Sequence, residues 1–466
     1  MVPKKTRTTQ SETRSDSKRI VPSDNIISTT EKLMRKLLEA GADDVALNAA
    51  TVFGQQTKFA NNKIVKTGTS DSQHISVFSV WKKRVVETSL KEFTDSHIDE
   101  LVAKASKFSA HLPQSDSYDS IADGPFGYKE LPYDRTIKSS GERHADITEG
   151  AVNAALEEGA KRCSGILETH DWKSFLLTSH SVEAEDQGST VYFSLRAFVD
   201  KEASGHKVAA SRRMADVEFD DLARTAAGFA VDAVNPKPGP IGTGFDIVFE
   251  PFPFAILLER AGSSASAFDV DAGVSFLQGK IDKQVGSSNV TLVDDPLVPT
   301  GYGSTTFDSE GVPTGRTEII KDGKLMTYLH NTSTAKRYKT KTTANAGLIS
   351  PHHWNLVLEP GKKSREELIS QVKDGIYVTN IWYTRFQNYV TGDFSTIPRD
   401  AIFLIKNGKL SSSVKGIRIT SNMLDILKGI ESVGKESENI HAWEVDSSVI
   451  TPPVLVKGVN ITKPTA

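Results

Sequence analysis

Apolar residues first recur at helical spacing at Leu33, Met34, Leu37 and Leu38, and Gly41 supplies the stop. Ser28 stands three residues before Glu31, the spacing of a capping box, and predicts the helix start there. An extended region follows. Asn61-Asn62 breaks the run from Gln56 to Ile64 as a hairpin-type turn, and Ile75, Phe78, Val80, Val85 and Val86 predict two strands around Lys82-Lys83. Ile98, Leu101, Val102 and Ala105 share one face of a second helix near Asp95 to Phe108. A third helix, from Glu142 to Arg162, has a face of small residues: Ala145, Ala151, Ala154 and Ala155. Alternation returns from Thr190 to Leu195, and a fourth helix spans roughly Phe219 to Ala233. The order lacks regular βαβ alternation, so this half reads as α+β.

Asn235-Pro236-Lys237-Pro238-Gly239-Pro240 is the clearest boundary in the chain, because closely spaced prolines cannot continue a helix or sit in a central strand. Beyond it, Ile247-Val248-Phe249 reads as a strand and Pro253 to Arg260 as a short helix. Lys321-Asp322-Gly323-Lys324 and Lys406-Asn407-Gly408-Lys409 each lie between extended apolar runs and predict hairpins. The expected organisation is a disordered tail at 1–26, an N-terminal α+β domain at 27–240 and a mostly β C-terminal domain at 241–466, barrel-like or a curved sheet. The tail carries Lys4, Lys5, Arg7, Arg14, Lys18 and Arg19 without an apolar core, so it is no signal peptide.

Composition narrows the function classes. The 466 residues have a formal charge of −3, which removes the electrostatic argument for nucleic acid as the main ligand. The longest apolar run, around Phe252 to Leu258, is far below the roughly 20 residues that span a membrane. Cys163 is the single cysteine, which excludes an intrachain disulfide and thiolate-rich zinc sites and suits a reducing cytoplasm.

Standard catalytic signatures such as GxGxxG, Walker A, GxSxG and HExxH are absent. In the adjacent pair His352-His353, one residue could be a zinc ligand; in a strand the two would point to opposite faces. The plainer reading is a loop after Pro351 with Trp354 packing nearby. Asp294-Asp295-Pro296 and Phe307-Asp308-Ser309-Glu310-Gly311 could bind a cation, or could build turns by Asx-type hydrogen bonds, which is the reading adopted. Cys163 reads as a small buried residue. Composition and spacing stop at a cytoplasmic two-domain α+β protein.

Longer text in the second half goes further. Asp294-Asp295-Pro296, Gly303-Ser304, Phe307-Asp308-Ser309-Glu310-Gly311-Val312-Pro313-Thr314, Asp322-Gly323-Lys324-Leu325, Gly375-Ile376-Tyr377-Val378-Thr379 and Val390-Thr391-Gly392-Asp393-Phe394-Ser395 occur in order over more than a hundred residues. This series resembles the TldD/PmbA family, and more weakly the resemblance extends over about 27–462, through Leu38-Glu39-Ala40-Gly41-Ala42-Asp43 and Asn62-Lys63-Ile64.

The resemblance implies peptide proteolysis. TldD-type chains carry His-Glu-x-x-x-His on a helix and a later cysteine as zinc ligands, with the glutamate as general base on zinc-bound water. In the matching helix, Glu259 is the remnant of that base, Leu258 stands at the first histidine and Ser263 at the second, with Gly262 before it. The late cysteine would fall near Glu438 to His441, where none occurs. Glu259 is then expected to be an ordinary helical carboxylate. The resemblance therefore implies a zinc-free PmbA/TldE-like subunit with no catalytic residue, no metal and no cofactor of its own. Its expected partners are a second copy or a TldD-type chain, and peptide or unfolded protein as substrate, with no membrane and no nucleic acid. The alternatives are a metallopeptidase with a divergent site, in which Glu259, His352, His353 and His441 are the residues to test, and a stand-alone peptide-binding scaffold.

Overall fold

In a computed structural model, which describes residues 24–463, two structural halves meet face to face. The first is built on six antiparallel strands: Asp44–Ala60 (β1), Lys63–Trp81 (β2), Arg84–Leu90 (β3), Arg162–Thr178 (β4), Glu183–Phe198 (β5) and Ser204–Ser211 (β6), in the order β3-β2-β1-β4-β5-β6. Asn61 and Asn62 turn β1 into β2 with positive φ, and Lys82 and Lys83 do the same between β2 and β3. Because side chains alternate along a strand, the sheet has two distinct faces. Val45, Leu47, Leu167 and Phe193 lie on one, beneath four helices: Asp24–Glu39 (α1), Asp95–Ser109 (α2), Gly141–Glu157 (α3) and Phe219–Asp232 (α4). The small face of α3, with Ala151, Ala154 and Ala155, lets it approach Ala223, Ala226 and Ala227 of α4 closely. The opposite face, with Ala50, Val52, Trp172 and Ser174, looks toward the second half.

That second half is mostly β, as expected. A ten-stranded mixed sheet runs from an edge at Ile381–Asn388 through Val454–Thr462 and Gly242–Phe249 to the opposite edge at Lys237–Pro238. The order is open, not a closed barrel. A six-stranded sheet includes Leu292–Asp294, Asn355–Leu358 and Val445–Thr451. Between these sheets lies helix Pro251–Ser264 (α5), at the centre of the largest apolar cluster. Both expected hairpins form, at Asp322-Gly323 and Asn407-Gly408.

Four local expectations need correction. α1 begins at Asp24, and Ser28 lies inside it, its hydroxyl donating to the Asn25 carbonyl 3.0 Å away instead of capping. α3 ends at Glu157, because β4 starts at Arg162 and carries Cys163 in the sheet. The proline segment is not only a linker: Lys237–Pro238 pairs in parallel with Lys409–Lys415 at a sheet edge, where a missing N–H costs nothing. α5 is longer than expected at both ends. The tail reading lies mostly outside the described residues, of which its last three, Asp24 to Ile26, begin α1. Among the described residues no helix is long and apolar enough to cross a membrane.

Candidate functional site

α5 starts cleanly because Pro251 and Pro253 occupy its first turn, where backbone N–H groups have no helical acceptor. The helix is buried on almost every side, so its polar residues need partners. Glu259 is only 4 % exposed. Its Oε2 accepts a hydrogen bond from Ser447 Oγ at 2.8 Å and lies 3.2 Å from His353 Nε2. Burial opposes the Glu259 charge, but the charge of His353 and the hydrogen bonds from His353 and Ser447 outweigh it and hold the carboxyl below its ordinary range. Burial likewise opposes the imidazolium of His353, yet Glu259, then Asp294 and Asp446, raise its basicity. The two form a buried ion pair, not the ordinary helical carboxylate expected of Glu259.

Asp294 holds the loop that delivers His353. Its Oδ1 accepts from the N–H groups of Trp354 (2.8 Å) and Asn355 (3.0 Å), and its Oδ2 from Asn345 Nδ2 (2.6 Å). Burial nonetheless lifts this carboxyl to about 6. His352 packs edge-on against Trp354, with ring centroids 4.4 Å apart, and burial lowers its basicity.

Glu259, His352, His353, Trp354 and Ser447 form one wall of a cavity of about 820 Å³ between the two halves. β1 contributes Ala50 and Val52, β4 contributes Trp172 and Ser174, and α5 contributes Glu259 and Ser263. The alternation of β1 and β4 dictates which residues arrive there, since their odd-numbered neighbours face the helices.

Of the residues singled out from the sequence, Glu259, Ser263, His352 and His353 come together on this wall. The two histidines share it because they lie in a loop before strand Asn355–Leu358, so strand alternation does not separate them. Leu258 does not join them: it is 1 % exposed in the apolar cluster around α5. The Ser263 hydroxyl donates to the carbonyl of Glu259 at 2.9 Å. His441 sits behind Ser447, its Nδ1 2.9 Å from that residue's carbonyl oxygen and its ring stacked on Tyr302 at 4.4 Å. Cys163 is buried in β4, and burial pushes its thiol up to about 11.

The acidic segments divide. Asp295 accepts from the Leu297 N–H (3.1 Å) and Asp308 from those of Glu310 and Val312 (2.9 Å each), which are the turn contacts expected. Asp294 instead sits in a strand, and Glu310 is buried against the Thr332 N–H. Leu258 has no lone pair, the Ser263 hydroxyl is engaged with the backbone, and among the described residues no three His, Cys, Asp or Glu groups are placed to hold a metal ion. The residues at the ligand positions do not fit the family's zinc site. Sequence reasoning missed Ser447, Asp446, Asp269 and the whole β1–β4 wall, for which no motif or periodicity gave a signal.

Comparison with known proteins agrees with this architecture. Residues 242–463 match the PmbA/TldA metallopeptidase C-terminal domain. A metalloprotease of Methanocaldococcus jannaschii is 33 % identical over 228 residues, 47 % of this chain and 49 % of that protein. The PmbA metalloprotease of Escherichia coli O157:H7 is 32 % identical over 184 residues, 40 % of this chain and 39 % of its own. The match thus spans about half the length, or less, of these curated relatives. The crystal structure of TldE from Thermococcus kodakarensis superposes with a TM-score of 0.84 at 21 % identity, covering 93 % of this chain and 100 % of that one, and so shares the fold. Through its C-terminal half, the chain belongs to the TldD/PmbA family.

Proposed function

We propose that the chain is a zinc-free, PmbA/TldE-like subunit that dimerises, with itself or with a TldD-type chain, and encloses peptide substrates in the cavity between its halves. The observation that carries this reading is the state of α5. Glu259 stands where the family keeps its general base, but it faces His353 and Ser447 instead of a metal-bound water, while Leu258 is part of the core. One leucine and one serine cannot replace two imidazoles as zinc ligands. The name of the Thermococcus neighbour, TldE, points the same way.

The test is elemental analysis and peptide cleavage by the purified chain, alone and mixed with a TldD-type chain. The reading expects substoichiometric zinc and no cleavage alone, a dimer mass by light scattering in one of the two samples, and chelator-sensitive cleavage only in the mixture. One zinc per chain with cleavage by the chain alone would overturn it. That outcome would favour a divergent metallopeptidase, a second reading supported by the convergence of Glu259, His352 and His353 on one cavity wall.

A further inference from the structure

A second cavity, of about 400 Å³, lies where β5 meets the second half and shares no lining residue with the first. β5 turns Tyr192, Ser194 and Arg196 into it, and α5 supplies Phe252. The edge strand Ile381–Asn388 brings Trp382, and the turn after Ala442 brings Trp443. The two indoles stand edge to face, with ring centroids 5.3 Å apart. Trp443 is 64 % exposed, more than any other large apolar side chain among the described residues. Tyr383, also exposed, stacks on Trp382 and extends the aromatic rim.

The polar end of this cavity is made of donors. Asn380 Nδ2 donates to Asp400 Oδ2 at 2.6 Å, an orientation fixed because the carboxylate would repel an amide oxygen. The same nitrogen faces His206 Nδ1 at 3.4 Å, so Nδ1 accepts and the ring proton sits on Nε2. Burial keeps this imidazole neutral, lowering its pKa to about 4. Nε2 then donates to Ser194 Oγ at 2.9 Å, which leaves the Ser194 hydroxyl proton to donate in turn, to the adjacent Tyr192 phenol or into the cavity.

Arg196 engages Asp400 through Nη2 alone, at 2.9 Å, and its Nε and Nη1 donate to no described residue. Its guanidinium carbon lies 5.3 Å from the centre of the Trp382 ring, and that of Arg399 lies 4.6 Å from it. Arg399 makes no side-chain hydrogen bond or ion pair among the described residues; its backbone N–H donates to the Asn380 carbonyl. The carboxylates nearby are committed. Asp400 accepts from Arg196, Asn380 and Ser204, and Glu444 from the Thr384 N–H and Arg385. Three guanidinium groups against two carboxylates leave this corner one positive charge in excess.

We infer that the second cavity binds an apolar carboxylate, its carboxyl group beside Arg196 and Ser194 and its hydrocarbon or aromatic body against Trp382 and Trp443. Two sources share that chemistry: the C-terminus of a peptide ending in a large apolar residue, and a free carboxylic acid. A carboxylate gains charge-assisted hydrogen bonds there that the corresponding amide lacks. The inference stands apart from the peptide-enclosing reading of the larger cavity.

The experiment is calorimetric titration of the full chain with two matched pairs. One is an acetylated tetrapeptide ending in phenylalanine, as free acid and as C-terminal amide. The other is 3-phenylpropanoate and 3-phenylpropanamide. In at least one pair the acid should bind about tenfold or more tightly than the amide, a difference of about 1.4 kcal/mol. Which pair shows the preference identifies the source. Raising the ionic strength to about 0.5 M should narrow it. Arg196→Gln should reduce it to about twofold or less. Trp443→Ala, a change in a mostly solvated ring, should weaken binding of the preferred acid about tenfold, so the test does not depend on the Arg196 variant folding. Equal binding of acid and amide in both pairs, no binding in either, or undiminished binding by Trp443→Ala would each overturn the inference and leave the reading of the larger cavity standing.

Discussion

Gly262 and His353 touch so closely that a methyl group on Gly262 would lie 3.0 Å from both Cε1 and Nδ1 of the imidazole. The same methyl would meet Leu356 Cδ2 at 2.8 Å. The glycine therefore lets the 352–355 loop seat its histidine against α5, one turn from Glu259. Replacing glycine by alanine inside a helix ordinarily gains about 1 kcal/mol. Here overpacking, which costs about 1–3 kcal/mol, should dominate. Gly262→Ala is expected to destabilise the protein by about 1 kcal/mol, read as a lower urea midpoint at unchanged slope.

Restoring the two missing histidines should not restore a metal site. Leu258 lies in the apolar cluster, so Leu258→His buries an imidazole at a cost of about 2 kcal/mol or more. The third ligand would still be absent near Glu438 to His441. The double variant Leu258→His with Ser263→His is expected to hold well under one zinc per chain by elemental analysis, and to melt below the parent.

The two halves are joined by Arg212. Fully buried just past β6, it donates to the carbonyls of Ser304 (2.6 Å), Gln187 (3.1 Å) and Pro132 (3.2 Å). Nearby, Asp186 accepts from the Thr306 N–H at 3.1 Å. Arg212→Ala would leave these buried carbonyls unpaired and remove a cation near Asp186, a loss of about 3–5 kcal/mol. Arg212→Lys should recover less than half of it, since one ammonium cannot span the fork's three acceptors. Chemical denaturation of both variants checks this.

Glu310 should make the protein lose stability as pH rises through neutrality. Burial raises its carboxyl, and the neighbouring Asp308 raises it further. An acid whose folded pKa is raised binds its proton more tightly in the native state. Stability then falls as pH rises from the ordinary carboxyl value of 4.5 to about 8. Glu310→Gln keeps an oxygen for the Thr332 N–H but cannot ionise. The variant should have a shallower decline of Tm between pH 5.5 and 8.5, and should be more stable than the parent at the upper end by about 1 kcal/mol. An unchanged slope would show that Glu310 is not the titrating group.

The sequence by itself determined the elements and their kind. Helical and strand periods depend on neighbours within a turn or a pleat, and the hairpins at Asn61-Asn62, Asp322-Gly323 and Asn407-Gly408 depend on residues that accept positive φ. It also placed a leucine, which has no lone pair to offer a metal, and a serine at the positions of the two histidines. Where local signals competed, it erred: the Ser28 capping spacing is real, yet α1 starts earlier and the hydroxyl bonds back inside the helix. The tertiary structure decided everything that joins distant segments. Glu259 meets His353 across 94 positions, and Ser447 across 188. Which face of the six-stranded sheet turned toward the second half, and so placed Trp172 and Ser174 on the cavity, was settled by four helices covering the other face. Periodicity marks that a strand has two faces, but only packing against the rest of the chain selects which of them meets the site.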